Sequence, residues 1–154
     1  MFLALKPNKI ESRNVIINNR TNNNIIDNSY FYRIYYSDNE FISNGIVSYF
    51  TLNINNYEKY FNKLKINYSL SNNMENLKPI VDLEDKLLNY FKVNKKKKYS
   101  IKNQLKLENI KIINEEKLTK NINKTIVCGV KISGFWETKK EIGLTFRFIF
   151  SKKI

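Results

Sequence analysis

The chain has 154 residues, of which 42% are hydrophobic and 14% are aromatic. This length and apolar content predict one domain spanning 1–154, with a core that needs no disulfide or metal, and they exclude a disordered polymer. Lysine and arginine number 27 against 14 acidic residues, which gives a formal net charge of +13. An excess of this size attracts polyanions such as nucleic acid. A+T-rich codons, which specify Lys, Asn, Ile, Tyr and Phe, offer a second explanation for the lysine content.

Cysteine usage and hydropathy bear on the compartment. Cys128 is the sole cysteine, so the chain cannot form an internal disulfide and a reducing compartment is its expected setting. The apolar start from Met1 to Pro7 is too short for the core of a signal peptide, and no run approaches the roughly 18 apolar residues of a membrane span. We therefore expect a soluble intracellular protein that is not secreted and has no membrane partner.

The first third of the chain is rich in strand signals. Short strands are predicted within Phe2 to Lys6 and Asn14 to Asn18. Ser29 to Ser37 is dense in aromatic and β-branched residues, and a polar dipeptide separates it from a second strand-like run, Phe41 to Ile54. The spacing predicts an antiparallel hairpin, in which Gly45 is a candidate bulge.

The aromatic strand has rings on both of its faces. One parity consists of Tyr30, Tyr32, Ile34 and Tyr36, and the other consists of Phe31, Arg33 and Tyr35. Alternation therefore leaves open which set points to solvent.

The middle of the chain combines helix and loop signals. Asn55 to Leu64 is predicted as a short helix, and Ile66 to Met74 as a loop. A second helix is predicted from Pro79, in the first turn, to Phe91, with an apolar stripe that covers a sheet. Its early acidic residues, Asp82, Glu84 and Asp85, suit the helix dipole.

The segment after this helix gives weaker signals. A four-lysine run, Lys95 to Lys98, leads to Leu105 to Ile113, which alternates weakly as a strand. Glu115 to Lys124 is polar enough to be a connecting loop or a short exposed helix.

The last quarter predicts a hairpin from Thr125 to Phe150 around the polar turn Thr138 to Glu141. On its second strand Leu144, Phe146, Phe148 and Phe150 share one parity and are expected in the core. Arg147 has the opposite parity and should project away from them.

The residues needed for most enzyme chemistry are missing. The chain has no histidine, which removes the usual general base, nucleophile partner and zinc ligand. Its four glycines form no phosphate-binding loop. Cys128 lies within a predicted strand, where a buried thiol is the expected state. We expect no enzyme, no cofactor, no metal and no catalytic residue; a carboxylate-metal nuclease site at Asp82 and Asp85 is the third-ranked hypothesis.

Aromatic rings beside cations are what a single nucleic-acid strand requires, because bases stack on rings while phosphates contact lysine and arginine. Trp136 can also close one end of a barrel, and the lysine run can be a solvated loop. The candidate binding residues are Arg33, Tyr35, Tyr49, Lys95, Lys96, Lys97, Lys98, Tyr99, Trp136, Lys139, Lys140 and Arg147.

The order of elements, several strands interrupted by a central helix and closed by a hairpin, is similar to OB-fold single-stranded DNA-binding proteins. The segment from Lys131 to Phe148 also resembles the closing hairpin of DNA-binding proteins of large DNA viruses. The resemblance implies a mainly β, antiparallel OB-like barrel with one or two helices, acting in viral DNA replication or repair in the host cytoplasm or nucleus. The last residues, Ser151-Lys-Lys-Ile154, are basic, whereas bacterial-type single-strand binders and their phage analogues often end in an acidic tail that recruits partners.

The leading hypothesis is non-enzymatic, sequence-tolerant binding of single-stranded DNA or RNA, with replication proteins or a second copy of the chain as possible partners. The alternative is a virion structural or assembly protein whose β-strands self-associate.

Overall fold

A computed structural model describes residues 4–113 and 124–150. Its helices are α1 (Met74–Tyr90) and α2 (Ser100–Lys106), and single 3-10 turns lie at Pro7–Lys9 and Ser12–Asn14. The strands are β1 (Ala4–Leu5), β2 (Val15–Ile17), β3 (Thr21–Asn22), β4 (Tyr30–Ser37), β5 (Ile42–Asn44), β6 (Ile46–Tyr60), β7 (Lys63–Tyr68), β8 (Lys96–Lys98), β9 (Asn109–Ile113), β10 (Thr125–Glu137) and β11 (Glu141–Phe150). Neither described helix is long and apolar enough to cross a membrane.

Five strands close into a barrel in the order β6-β7-β9-β11-β10, and β10 returns to β6. Closure depends on the length of β6, which pairs with β10 from Ile46 to Asn53 and with β7 beyond Ile54. The β9–β11 pair is parallel, and the other four barrel pairs are antiparallel. The predicted mainly β, barrel-forming fold with one or two helices is confirmed.

The core lies inside the barrel and beneath α1. Inward residues alternate along each strand, so that Leu64, Ile66, Ile110 and Ile112 are buried while Lys65 and its neighbours face outward. The apolar stripe of α1 packs against β6 and β11, as the stripe in the sequence predicts. Two further strands, β4 and β2, extend the sheet beyond β10.

The predicted helix from Asn55 to Leu64 is wrong, because β6 continues through Tyr60 and β7 begins at Lys63. Apolar residues there fit both helical and strand spacing, and ladder pairing such as Tyr57 with Ile66 decides for strand. The predicted loop from Ile66 to Met74 is only partly correct, since β7 extends to Tyr68. Helix α1 begins at Met74, so Pro79 lies inside the helix and not in its first turn.

The earlier start of α1 changes the role of Glu84. This carboxylate is buried in the middle of the helix, and it accepts hydrogen bonds from the backbone N–H groups of Ile101 (2.8 Å) and Lys102 (2.9 Å). Burial raises its pKa, and those hydrogen bonds act in the opposite direction. Glu84 therefore fixes the start of α2, a helix that the weak strand signal from Leu105 onward did not reveal.

The lysine run and both predicted hairpins lie in the β-sheet. Three of the four lysines form β8, which pairs in parallel with β11 and is not a solvated loop. The predicted hairpin of β10 and β11 is confirmed. The first predicted hairpin is correct only for β5, which pairs with β4, because the rest of the predicted second strand forms β6 and pairs with β10. Gly45 separates β5 from β6. Its φ of 82° is a backbone conformation that only a glycine adopts readily. The predicted connection Glu115 to Lys124 lies almost entirely outside the described residues.

Candidate nucleic-acid interface

The outward face of β4, β10 and β11 carries rings and cations together. On β4, Ile34 and Tyr36 are buried, so Phe31, Arg33 and Tyr35 have the outward parity. This settles the question that alternation left open. In the ladder, Phe31 lies opposite Trp136 and Arg33 lies opposite Gly134.

Two glycines make room for the rings on this face. A Cβ atom at Gly134 would lie 2.8 Å from the ring of Phe31, and one at Gly143 would lie 2.6 Å from Cε2 of Trp136. Each ring therefore packs directly on glycine backbone, and a residue with a side chain in place of either glycine would not leave room for the ring. Both rings are half-buried and held in place by the strand beneath them.

Three cations share this face with the rings. Lys131 of β10 is directly opposite Arg147 of β11. Partial burial lowers the pKa of Lys131, and the positive charges of Arg147 and Arg33 lower it further. Arg33 and Arg147 are exposed, and Cζ of Arg33 is 5.9 Å from the centroid of the Phe31 ring. We call this surface, formed by Phe31, Arg33, Lys131, Trp136 and Arg147, the basic-aromatic face.

A β-bulge decides which residues share this face. The register of β10 against β11 shifts between Ile132 and Gly134. Strict alternation would put Lys131 and Trp136 on opposite sides of the strand, but the extra residue brings both outward and turns Phe135 into the core. Phe31 was a candidate through its shared parity with Arg33 and Tyr35, and the exposure of that parity supports it. Lys131 was missed, and only the pairing of the strands reveals it.

The two predicted tyrosines lie beside this face. Tyr49 is half-buried on β6, opposite Gly129 of β10 and next to Ile149 across the sheet. Tyr35 follows Arg33 along β4, where β4 has left β10 and pairs with β2 and β5. Both tyrosines are partly exposed and flank the cations from different directions.

Pairing of β8 with β11 brings distant lysines together. Lys96 lies opposite Glu141, and Lys98 lies opposite Gly143. The ammonium Nζ of Lys98 is 6.0 Å from the centroid of the Trp136 ring. The backbone N–H of Lys96 donates to the carbonyl oxygen of Lys140 (3.1 Å), so the exposed turn with Lys139 and Lys140 adjoins β8.

Three other predicted residues are held by contacts within the protein. Nζ of Lys95 is 3.3 Å from Oε2 of the buried Glu137, and Glu137 also accepts a hydrogen bond from the Tyr32 hydroxyl (3.0 Å). The Tyr99 hydroxyl donates to Asp85 (2.9 Å), a bond that raises the pKa of the tyrosine. Lys97 donates to the side chain of Asn89. Lys95 and Tyr99 thus stabilise the position of β8, and we leave them out of the binding surface.

A second basic surface lies on β7 and β9. Its outward lysines are Lys63, Lys65 and Lys111, and Lys65 is directly opposite Lys111. We call these three residues the lysine face. At the adjacent β6–β7 turn Phe61 is fully exposed with a φ of 53°. Phe61 and Lys63 were missed because Asn55 to Leu64 was predicted as a helix. Lys111 lay in a predicted strand whose partner, β7, the sequence did not reveal.

The acidic residues and the cysteine of the described segments have other roles than metal binding. Among residues 4–113 and 124–150, no group of three histidine, cysteine or acidic side chains could hold a metal ion. Asp82 forms an ion pair with Lys78 (3.6 Å), and Asp85 accepts the Tyr99 hydroxyl. Burial raises the pKa of Cys128 to about 12, so its thiol stays protonated at neutral pH.

No protein-family model, curated protein or solved structure matches this chain. The interpretation of the surface therefore rests on the geometry of the chain itself.

Proposed function

We propose that the protein binds single-stranded nucleic acid through the basic-aromatic face, without catalysis and with tolerance for sequence. The observation that carries this proposal is the clustering of Arg33, Lys131 and Arg147 on the same face as two rings that rest on glycine backbone. Three like charges in one place repel one another, and a phosphate backbone relieves that repulsion.

The rings favour a single strand over a duplex. A stacked base contributes about 1–3 kcal/mol, and it must be unpaired to reach a protein ring. Every base has a flat face, so stacking on Phe31 and Trp136 discriminates little between sequences. The resemblance to OB-fold viral proteins is the reason to prefer DNA and a role in viral replication or repair within the cell.

Salt dependence of binding tests the proposal. The three cations of the face together with Lys98 would contact about four phosphates, so the log of the affinity should fall against log salt with a slope of about −3. Fluorescence anisotropy of a labelled oligothymidine, measured over a salt series, gives this slope. Absence of binding at low salt, or an affinity that does not change with salt, would refute the proposal.

A second candidate function is self-assembly through exposed strands, as in a virion structural protein. It is favoured by Ile16 of β2 and Ile42 of β5, which are 49% and 73% exposed on either side of β4. Salt leaves hydrophobic assembly unchanged or strengthens it, whereas salt weakens the binding of cations to phosphate. Light scattering separates the two: a large assembly that persists at high salt supports this candidate, and a small species that grows only with oligonucleotide supports binding.

A further inference from the structure

A pocket of about 360 Å³ opens between β8, α2 and the first residue of β11. Five lysines line it, and Glu141 is the acidic residue among the described lining. We call it the lysine pocket; its cations are Lys96, Lys97, Lys98, Lys102 and Lys106. The proposed binding of a strand to the basic-aromatic face requires only Lys98 of these.

The charges of the pocket are largely unneutralised within the protein. None of the five lysines forms an ion pair within the described part of the chain, and Lys97 contacts a neutral amide. Five lysines and one carboxylate line the pocket, and the buried carboxylate of Glu84 also acts on Lys102, so positive charges still outnumber negative ones around this small volume. Such crowding is unfavourable in the free protein, so an anion that fills the pocket gains from relieving it.

The fold holds these lysines in position. Ile101 and Leu105 bury one side of α2, so Lys102 and Lys106, four residues apart, share its exposed side. Glu84 fixes the start of the helix through two hydrogen bonds. On β8, Lys96 and Lys98 are both exposed and have the same parity. The pocket is therefore formed before a ligand arrives.

The pocket is connected to the rings through Lys98. This side chain lines the pocket, and its ammonium group also lies 6.0 Å from the ring centroid of Trp136. A nucleotide could therefore stack its base on Trp136 while its phosphates enter the pocket. A single strand spreads one charge over each nucleotide, whereas a triphosphate concentrates several charges in one place and matches the five lysines better.

We propose that the lysine pocket binds a compact oligophosphate group of a nucleotide whose base stacks on Trp136. The group is the triphosphate at the 5′ end of a strand or that of a free nucleoside triphosphate. For the strand end, this inference rests on the proposed single-strand binding.

The test compares two oligothymidines of equal length, one with a 5′-triphosphate and one with a 5′-hydroxyl, by fluorescence anisotropy. We expect the triphosphate form to bind roughly tenfold more tightly, because charge-assisted hydrogen bonds to lysine are added. ATP and inorganic tripolyphosphate are titrated as competitors. If ATP displaces the 5′-triphosphate strand at similar concentration, a free nucleotide is the ligand; if only the strand binds tightly, its 5′ end is the ligand.

A double variant locates the effect. Lys102→Gln with Lys106→Gln should abolish the preference for the triphosphate and leave affinity for the 5′-hydroxyl strand nearly unchanged. Lys65→Gln with Lys111→Gln removes the same charge elsewhere and should retain the preference. Both pairs are surface residues, and thermal unfolding checks that each variant is folded. Equal affinity for the two oligothymidines, or a preference that survives the pocket variant, would overturn the inference.

The outcomes separate this inference from the proposed function. If both strands bind equally well, single-strand binding stands and the pocket proposal fails. The opposite result is that neither oligothymidine binds through Trp136, while tripolyphosphate binds the wild-type protein but not the Lys102→Gln, Lys106→Gln variant. In that case the oligophosphate site remains and the proposed function fails.

Discussion

The basic-aromatic face and the lysine face are outward surfaces of the same barrel, and both present three cations. They differ in what surrounds the charge. On the basic-aromatic face, Trp136 and Phe31 rest on glycine backbone beside the cations. On the lysine face, Lys65 lies between Lys111 and Glu58 in the ladder, and asparagines occupy the next outward positions of both strands.

The comparison teaches that charge alone does not define a binding site. A ring already fixed on the sheet loses little conformational freedom when a base stacks on it. Phe61, beside the lysine face, projects fully into solvent from a turn and would have to be ordered on binding. Yet β7 and β9 are the second and third of the five barrel strands in chain order, and in OB-fold proteins the face of the second and third strands binds oligonucleotides. The two surfaces are therefore competing sites that experiment can separate.

The largest expected effect is on affinity when two cations are removed from the basic-aromatic face. Arg33→Gln with Arg147→Gln should weaken oligothymidine binding roughly thirtyfold at low salt and reduce the salt slope by about 1.4, since each lost phosphate contact removes about 0.7. Anisotropy at several salt concentrations measures both quantities.

The matched control is Lys65→Gln with Lys111→Gln, which removes the same charge from the lysine face. We expect a loss of no more than about threefold, through the general field of the protein. Comparable losses in the two double variants would erase the distinction between the faces.

Removal of the indole should have the next largest effect. Trp136→Ala should reduce affinity about tenfold, within the roughly 1–3 kcal/mol that a stacked base contributes. Trp136→Phe should restore part of this affinity because it retains a ring. Phe61→Ala, the corresponding change beside the lysine face, should alter affinity less than twofold; the reverse order of effects would assign the strand to the lysine face.

The glycine beneath the indole allows a subtler perturbation. Gly143→Ala introduces a Cβ into the space of the Trp136 ring, so the ring must move. We expect a several-fold loss of affinity and a shift in tryptophan emission, both measured by fluorescence titration. Gly129→Ala is the control, because its Cβ would lie 3.0 Å from the side chain of Ile149 and the nearest atoms to it include none of Trp136. An unchanged emission in Gly143→Ala would show that the ring does not depend on this glycine.

The smallest effect concerns stability. Lys131→Gln removes a like-charge pair across the strands, so it should raise the free energy of unfolding by roughly 0.2–1 kcal/mol while weakening binding a few-fold. Urea unfolding and anisotropy measure the two quantities. A variant that loses both stability and affinity would contradict the idea that repulsion between Lys131 and Arg147 destabilises the folded protein.

The pH dependence of this gain has a definite sign. The pKa of Lys131 is lower in the folded protein than in the unfolded chain, so the unfolded chain holds more protons between the two values and wild-type stability rises with pH there. The gain in unfolding free energy from Lys131→Gln is therefore present at neutral pH. It should shrink as the pH rises through the pKa of Lys131 in the folded protein toward about 10.4, the value in an unfolded chain.

Local sequence pattern predicted the strands that carry the basic-aromatic face. Strand alternation placed Leu144 and Phe148 in the core and Arg147 outside, because one side of β11 is buried and a register error would expose the apolar set. Aromatic and β-branched content likewise predicted β4 and its hairpin with β5.

The assembly of the site could not be predicted from local pattern. The bulge that puts Lys131 on the same face as Trp136, and the parallel pairing that brings Lys98 to the Trp136 ring, depend on contacts between distant segments. The lysine face was hidden for two reasons. The apolar spacing before Leu64 fits a helix as well as a strand, and the pairing of Lys65 with Lys111 joins segments more than 40 residues apart.

Trp136 is the sole tryptophan of the chain, so its emission reports on the basic-aromatic face alone. Titration with unlabelled oligothymidine at low salt tests the central claim most directly. We expect saturable quenching with the same dissociation constant that anisotropy gives, and reversal of the quenching by salt. Binding detected by anisotropy with no change in Trp136 emission would contradict the claim, because the strand would then lie elsewhere on the barrel.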